Sequence, residues 1–433
     1  MNLTFRALAI SACLALNAPL AQLPPVRPLG PVTHVSPAGM LGSVTAVRAL
    51  PDGRVIVNDL TWRQLLLFER ELAKSTVLAD STAATGRTYG GQFASLIAFR
   101  GDSSLFIEPQ SMSMVVLDQT GATARVIGLP RPADGMFLMG GPFGTPGFDS
   151  REHLVYRGMG PRTVPPPPAD ANAPEYMPSF PDSAPVFRIN LATRQRDTVT
   201  WVRVPTYVAS RTRDQTGMPV VLRIVASPIP VVDVWTVTAD GRLAIVRGAD
   251  FHVDWFDAAG QRVATPKIPY PWQRLDDDAK QRLADSAMAA ADARGEEMRR
   301  AFQEHPVSSP MMMDALMRPL GTVVSRSPAA AGGRPLSEFV PSRFVMPPLD
   351  QLPSYRPAFE VGGALADRDG NLWVRTTAPS DRGAIYFVIN GRGEVIDRVQ
   401  IPFGRVIAGF GKGVVYMGVL DDKGARLEVA SVR

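Results

Sequence analysis

Asp369-Gly370-Asn371-Leu372-Trp373-Val374-Arg375 is the stretch whose reading decides the fold. Asp-Gly-Asn is turn chemistry. Glycine takes positive φ without a Cβ clash, and Asp and Asn bond back to their own backbone. The residues that follow are apolar, aromatic or β-branched, which is strand composition. Working outward, Ile385-Tyr386-Phe387-Val388-Ile389 is a second such run. Asn390-Gly391 turns the chain again, and a third run covers residues 395–399.

The same sequence of turn, strand, break, strand and turn recurs along the chain. It begins at Asp52-Gly53 with Val55-Ile56-Val57-Asn58-Asp59 and Leu65-Leu66-Leu67-Phe68. Further copies start at Gly101-Asp102, at Leu154-Val155-Tyr156-Arg157, at Asp240-Gly241 and at Gly411-Lys412-Gly413. About six antiparallel four-stranded units in one chain predict an all-β, six-bladed β-propeller. Seven blades is the alternative, because Val220-Val221-Leu222-Arg223-Ile224-Val225 leaves room for a further strand pair. The last copy has only three recognisable strands, and a closed ring leaves no open edge. The missing outer strand is therefore expected from the N-terminal segment around residues 25–35.

At the Asp369 stretch and between Asp59 and Phe68, the chain resembles the six-bladed NHL, TolB-like and SMP-30-like propellers. Such repeats carry an Asp-Gly-Asn turn, then Asp with an apolar residue six later and an aromatic nine later. Leu65 and Phe68 keep that spacing from Asp59, while Trp62 and Gln64 replace the usual Asn and Arg. The resemblance implies architecture. It also implies a divalent ion at the channel mouth, as SMP-30-like lactonases have, though their Glu, Asn and Asp ligands find no position-by-position match here.

Composition narrows the function classes. The chain has 433 residues, 45% hydrophobic and 20% charged, with 40 prolines and 37 glycines. A packed core with many turns follows. The net charge is +5 and scattered, without the basic patch of a nucleic-acid binder. Residues 1–21 carry one arginine, a short apolar run and a small residue at the end, which reads as a secretory signal. Export to the periplasm or beyond is expected, with a lipoprotein anchor at Cys13 as the alternative. Cys13 is the sole cysteine, so thiolate catalysis and cysteine-ligated zinc are excluded from the mature chain. No segment is apolar enough to span a membrane, and nothing demands an oligomer, so a monomer is expected.

Residues 22–433 then form a single propeller domain with insertions at about 158–184, 206–230 and 269–353. The last is read as mostly helical and lies between the fourth and fifth blades. Its amphipathic stripe runs from Leu275 to Phe302 with a break at Gly295, and a second short helix is expected over 311–317. If strands are lettered A to D from the axis outward, A–B and C–D turns share one face of the ring. B–C and D–A connections share the other. All three insertions belong to the second kind, so they should emerge together.

Strand B ends on that face too, with Asn58 and Asp59, Glu108, Arg157, Arg247 and Arg375, and His252 follows in a B–C loop. Arg157, Arg247, Arg375 and His252 are candidates for binding an anionic ligand, because guanidinium grips carboxylate or phosphate with two hydrogen bonds. The competing role, favoured for the arginines, is pairing with Asp59, Glu108 or Asp250 between blades. Asn58, Asp59 and Glu108 are metal candidates, since calcium or another divalent ion takes such oxygens. No cofactor is otherwise required. There is no His-Glu-x-x-His and no Gly-x-Ser-x-Gly. The expected function is a non-catalytic scaffold binding a small anion or a protein through the insert-bearing face. The alternative is a metal-dependent lactonase- or esterase-like hydrolase at the channel mouth. Deleting residues 24–37 is expected to lower the melting temperature sharply; an unchanged melting curve would remove the N-terminal closure.

Overall fold

The computed structural model describes residues 23–81, 89, 94–108, 111–166, 174–179, 181–213, 219–304, 342–421 and 424–433. The expected signal segment, Cys13, and the expected helix at 311–317 lie outside the described residues.

Two short N-terminal strands come first, β1 (Val26–Pro28) and β2 (Val32–Val35). The first sheet follows as a meander of β3 (Ala46–Ala49), β4 (Val55–Asp59), β5 (Gln64–Phe68) and β6 (Ser75–Ala79). The second is β7 (Ser95–Ala98), β8 (Ser104–Glu108), β9 (Ser113–Leu117) and β10 (Thr123–Gly128). The third contains β11 (Gly147–Phe148) and β12 (Leu154–Arg157). The chain then leaves to form β13 (Glu175–Tyr176) and returns as β14 (Ser183–Ile189) and β15 (Arg196–Arg203). An excursion makes β16 (Tyr207–Arg213) and β17 (Pro219–Ala226). The fourth sheet is β18 (Val234–Val237), β19 (Leu243–Arg247), β20 (His252–Phe256) and β21 (Arg262–Ala264). After it come helix α1 (Asp277–Glu304) and β22 (Ser342–Val345). The fifth sheet is β23 (Phe359–Ala366), β24 (Leu372–Thr376), β25 (Gly383–Ile389) and β26 (Val395–Pro402). The sixth is β27 (Arg405–Phe410), β28 (Val414–Asp421) and β29 (Gly424–Ser431).

The turns behave as their residues dictate. Gly370 sits at φ 80° and Gly53 at φ 89°, where a Cβ is disfavoured. The Asp367 carboxylate accepts the N–H groups of Asp369 and Asn371, the Asn371 amide and the Trp373 indole N–H, at 2.8–3.0 Å. Asp367 thus fastens the hairpin.

Six hydrophobic clusters of buried residues each join two sheets. They link first to second, second to third, third to fourth, fourth to fifth, fifth to sixth, and sixth back to first. This circuit of face-packed meanders is a β-propeller. Its closure uses the N-terminal segment: β2 runs antiparallel to β29 and supplies the outer strand of the sixth sheet. One feature beyond expectation is β1, which pairs parallel with β26 and adds a fifth strand to the fifth sheet. Arg27 anchors it through its Nε, 3.0 Å from the Asp397 carboxylate.

The three long connections meet. Strand order β13-β16-β17-β22 makes one further sheet from all three, which requires them to leave the ring on the same side. The β16–β17 pair is the one that sequence alone left open as a further blade; it belongs to this added sheet. Helix α1 is continuous through Gly295, against the expected break. Its N-terminus is capped by Asp276, whose carboxylate accepts the Ala279 N–H at 2.8 Å.

Between the fourth and fifth sheets, Phe251 is fully buried against the rings of Tyr270, Phe359 and Phe387, at centroid separations of 5.4–6.0 Å. It holds φ at 53° just before β20, a strained setting for a bulky residue that surrounding contacts must maintain. Phe251→Ala should cost about 3–5 kcal/mol, measured by denaturant unfolding.

Candidate functional site

The end of strand β12 places Arg157 at the lip of the insert-bearing side. Its side chain is only 8% exposed. The guanidinium lies over the Phe143 ring at 4.7 Å and the Phe137 ring at 5.4 Å. Both rings come from the 3-10 turns Pro132–Leu138 and Gly141–Phe143 that lead into β11. The Nε of Arg157 is buried without a hydrogen-bond partner. Among the described residues, no carboxylate pairs with it. Burial alone pushes its pKa down to about 10, because a low-dielectric setting disfavours the charged form.

Arg247 and Arg375 hold matching places and meet different fates. Arg247 Nε donates to Asp254 at 2.7 Å, and its Nη1 donates to Asp233 at 2.8 Å and to the Trp201 carbonyl at 2.9 Å. Arg375 Nε lies 3.2 Å from a Glu360 oxygen, without hydrogen-bond alignment. Both are paired with acids, but with Asp233, Asp254 and Glu360 of their own sheets rather than with Asp59, Glu108 or Asp250 between blades. His252 joins the Arg247 network, with Nδ1 2.6 Å from Asp250 and Nε2 3.4 Å from Asp254.

Strand register explains why Arg157 stands apart. Arg247 lies opposite His252, and Asp254 follows two residues along the same partner strand. Arg157 lies opposite Val186, and the corresponding residue is Arg188. Extending the register of β18 on β19 puts Asp233 opposite Arg247, whereas the same extension of β11 on β12 puts Thr145 opposite Arg157. Both acids that neutralise Arg247 are thus replaced by residues unable to neutralise Arg157.

The metal candidates have their oxygens engaged. Asn58 accepts the Tyr89 hydroxyl at 2.8 Å and donates to Thr45 and to the Ala94 carbonyl, both at 3.1 Å. Asp59 accepts from the Gly42, Thr61 and Trp62 N–H groups and from the Ser43 hydroxyl, at 2.7–3.2 Å. Burial raises its pKa despite these bonds. Glu108 accepts the Ser111 N–H at 2.6 Å. These groups tie loops to strand ends and do not fit a calcium ligand set, which needs several uncommitted oxygens. Among the described residues, no group of three or more His, Cys, Asp or Glu is placed to hold a metal ion.

Arg157 borders a small surface cleft that encloses about 10 Å³, room for one water. Its walls come from the third, fourth and fifth sheets: Phe143 and Gly144, Val202 to Pro205, Val232 to Trp235, and Val361 with Gly362. Gly144 has no substitute there, since a Cβ would lie 2.2 Å from the Trp235 indole nitrogen. Trp235 and Phe143 were not legible as site residues in the sequence. Only the approach of separate sheets gives them a common surface.

The chain matches no protein-family model and no curated relative. Solved structures with some likeness include a virginiamycin B lyase from Staphylococcus aureus, at 9% identity and a TM-score of 0.39, covering 92% of this chain and 99% of that one. Regucalcin, a calcium-binding protein from Agrobacterium tumefaciens, gives 10% and 0.35, covering 94% and 98%. A member of the DUF4221 family from Bacteroides vulgatus gives 10% and 0.44, covering 94% and 97%. Identities and scores this low transfer no activity, ligand or partner to this chain. No helix among the described residues is long and apolar enough to cross a membrane.

The Arg247 network makes a pH prediction. Burial opposes ionisation of Asp254, but hydrogen bonds from Arg262 and Arg247, with their charges, outweigh it and hold the carboxyl below the ordinary range. A folded pKa below the unfolded one stabilises the fold fully above the unfolded value of about 3.9, and that contribution is lost as pH falls from there through the lower folded pKa. Asp254→Asn should therefore destabilise the protein by about 2–3 kcal/mol at pH 7. The deficit should shrink below pH 4 in paired thermal melts.

Proposed function

We propose that this chain is an exported, monomeric, six-bladed β-propeller of the NHL, TolB-like and SMP-30-like kind. Its insert-bearing face, with the helical insertion between the fourth and fifth blades, serves as a scaffold that binds a small anionic ligand. Six inter-sheet clusters and the assignment of β16–β17 to the added sheet support six blades rather than seven. A binding role is favoured over a catalytic one because, among the described residues, the cleft lining brings Arg157, Arg203 and an Asp233 already held by Arg247, and no free acid and base set for chemistry.

The observation that carries the reading is Arg157, a buried guanidinium without an acid beside it. Such a group destabilises the empty protein, and a sequence retains that cost where a ligand supplies the missing charge. A small ligand is favoured over a protein partner because Arg157 is buried beside a small cleft rather than displayed on an open surface. Protein hot spots instead sit on broad complementary surfaces.

Stability distinguishes a binding arginine from a structural one. Arg157→Met keeps the length and the contact with Phe143 while removing the buried charge. It should leave the melting temperature of the ligand-free protein unchanged or raise it. Arg247→Met strands Asp233 and Asp254 and should cost about 3 kcal/mol. A loss for Arg157→Met as large as that for Arg247→Met would make Arg157 a structural residue and end the proposal.

A further inference from the structure

We infer that the short-turn end of the axial channel, opposite the insert-bearing face, holds an oxyanion site of its own, in which Arg48 and Arg368 take a tetrahedral anion of the phosphate or sulfate class. The site does not depend on Arg157.

Sheet order places these two arginines. The first strands of successive sheets touch one another around the ring, β27 on β3, β3 on β7, β7 on β11, β11 on β18 and β18 on β23, so they line the axis. Arg48 lies near the end of β3, in the first sheet. Arg368 belongs to the hairpin between β23 and β24, in the fifth. The end of β3 and that hairpin both lie at first-to-second-strand turns, so both open on the short-turn face. Arg368 Nη2 donates to the carbonyl of Ala49, the last residue of β3, at 2.5 Å. The sixth sheet stands between the fifth and the first. A side chain that bonds the first sheet from the fifth must pass the inner edge of the sixth, which places it at the mouth of the channel.

The charges at this mouth are unbalanced. Arg48 Nε is buried without a hydrogen-bond partner. Among the described residues, no acid lies within ion-pair distance of Arg48 or Arg368. Burial brings the Arg48 pKa down to about 10, and the neighbouring Arg368 charge adds to the depression. Asp102, in the hairpin between β7 and β8, opposes it from beyond ion-pair distance. The bond to Ala49 uses one of the five N–H donors of Arg368. Two guanidiniums acting on each other in a partly buried place repel, and an anion between them turns that repulsion into attraction.

Tyr416 adds a hydroxyl to the same field. It lies on β28 of the sixth sheet, and its side chain is buried. Burial raises its pKa, against the opposing charges of Arg368 and Arg70, so the phenol keeps its proton at neutral pH. Groups therefore come to this mouth from the first, fifth and sixth sheets. A carboxylate holds its two oxygens in one plane, whereas phosphate and sulfate point oxygens to four corners. Donors drawn from three sheets suit the second geometry. Two guanidiniums also match the two charges of a dianion.

The test is thermal shift and calorimetry on the full mature chain, in a buffer free of oxyanions and at an ionic strength fixed with chloride. Phosphate and sulfate at about 10 mM should each raise the melting temperature by about 2 °C or more. Acetate should need at least about tenfold more for the same shift. Arg48→Met and Arg368→Met should each abolish the phosphate shift, and Arg157→Met should leave it intact. Without oxyanion, Arg48→Met should melt at or above the parent temperature, because it removes a repelled charge. Phenyl phosphate matching phosphate would identify the phosphoryl end of a larger molecule as the ligand, and its exclusion the free ion; either result upholds the site. Equal shifts with acetate and phosphate would overturn the ligand class. A phosphate shift that is absent, survives both arginine changes, or vanishes in Arg157→Met would overturn the site. So would a loss of stability in Arg48→Met that Asp102→Asn reproduces, since Arg48 would then be the structural partner of Asp102. If Arg48→Met does not fold, Arg368→Met decides, because one carbonyl bond ties that side chain to the fold.

Discussion

The four-stranded antiparallel meander governs everything else in this protein. Each strand reverses the chain, so every second connection emerges on the same side of the ring. A short turn on one side can be as tight as Asp-Gly allows, while a connection on the other side is free to grow. The three long connections all fall on that second side. They pair with one another as β13-β16-β17-β22. The same alternation brings the end of β12, the start of β18 and the start of β23 to one rim, where the cleft is built.

Closure is the second constraint. A ring of sheets is stable only if its last sheet is complete, and the C-terminal hairpin β28–β29 leaves an edge. The N-terminal segment fills it with β2 and then adds β1 to the neighbouring sheet. The two chain ends are thereby joined by backbone hydrogen bonds on adjacent sheets, with the Arg27–Asp397 pair reinforcing the second. Local unfolding of either end exposes two sheet edges at once, so closure and global stability are coupled.

Against that rigid frame, three arginines in related places show how little is needed to change a residue's role. Arg247 is part of a network with Asp233, Asp254, Arg262 and His252 that welds strand to strand. Arg375 has Glu360 across the sheet. Arg157 has aromatic rings instead of acids. The difference lies in the partner strand, where Arg188 stands in the place that Asp254 holds one sheet later. A paired and an unpaired arginine are separated by which residues the neighbouring strands present.

The strands, turns and their sheets were legible in the sequence because they rest on short-range physics. Asp-Gly turns, β-branched runs and period-two patterning act within a few residues, and the parity of the meander follows from counting them. The need for an N-terminal strand followed from the same count. The addition of β1 and the continuity of α1 through Gly295 were not legible: pairing with β26 is a long-range contact, and one glycine costs a helix only about 1 kcal/mol. The site divides in the same way. Sequence placed Arg157, Arg247, Arg375 and His252 at one rim and Asn58, Asp59 and Glu108 with them. It did not determine which of these groups are satisfied, because satisfaction depends on atoms well beyond the reach of local sequence pattern. Tyr89 reaching Asn58, Asp233 reaching Arg247, and Phe143 covering Arg157 are products of tertiary structure alone. The sequence by itself determined the frame and the side of the ring that carries the inserts. Only the pairing of strand with strand in the folded sheets decided which arginine was left without an acid, since a hydrogen bond is settled by distances that no local pattern encodes.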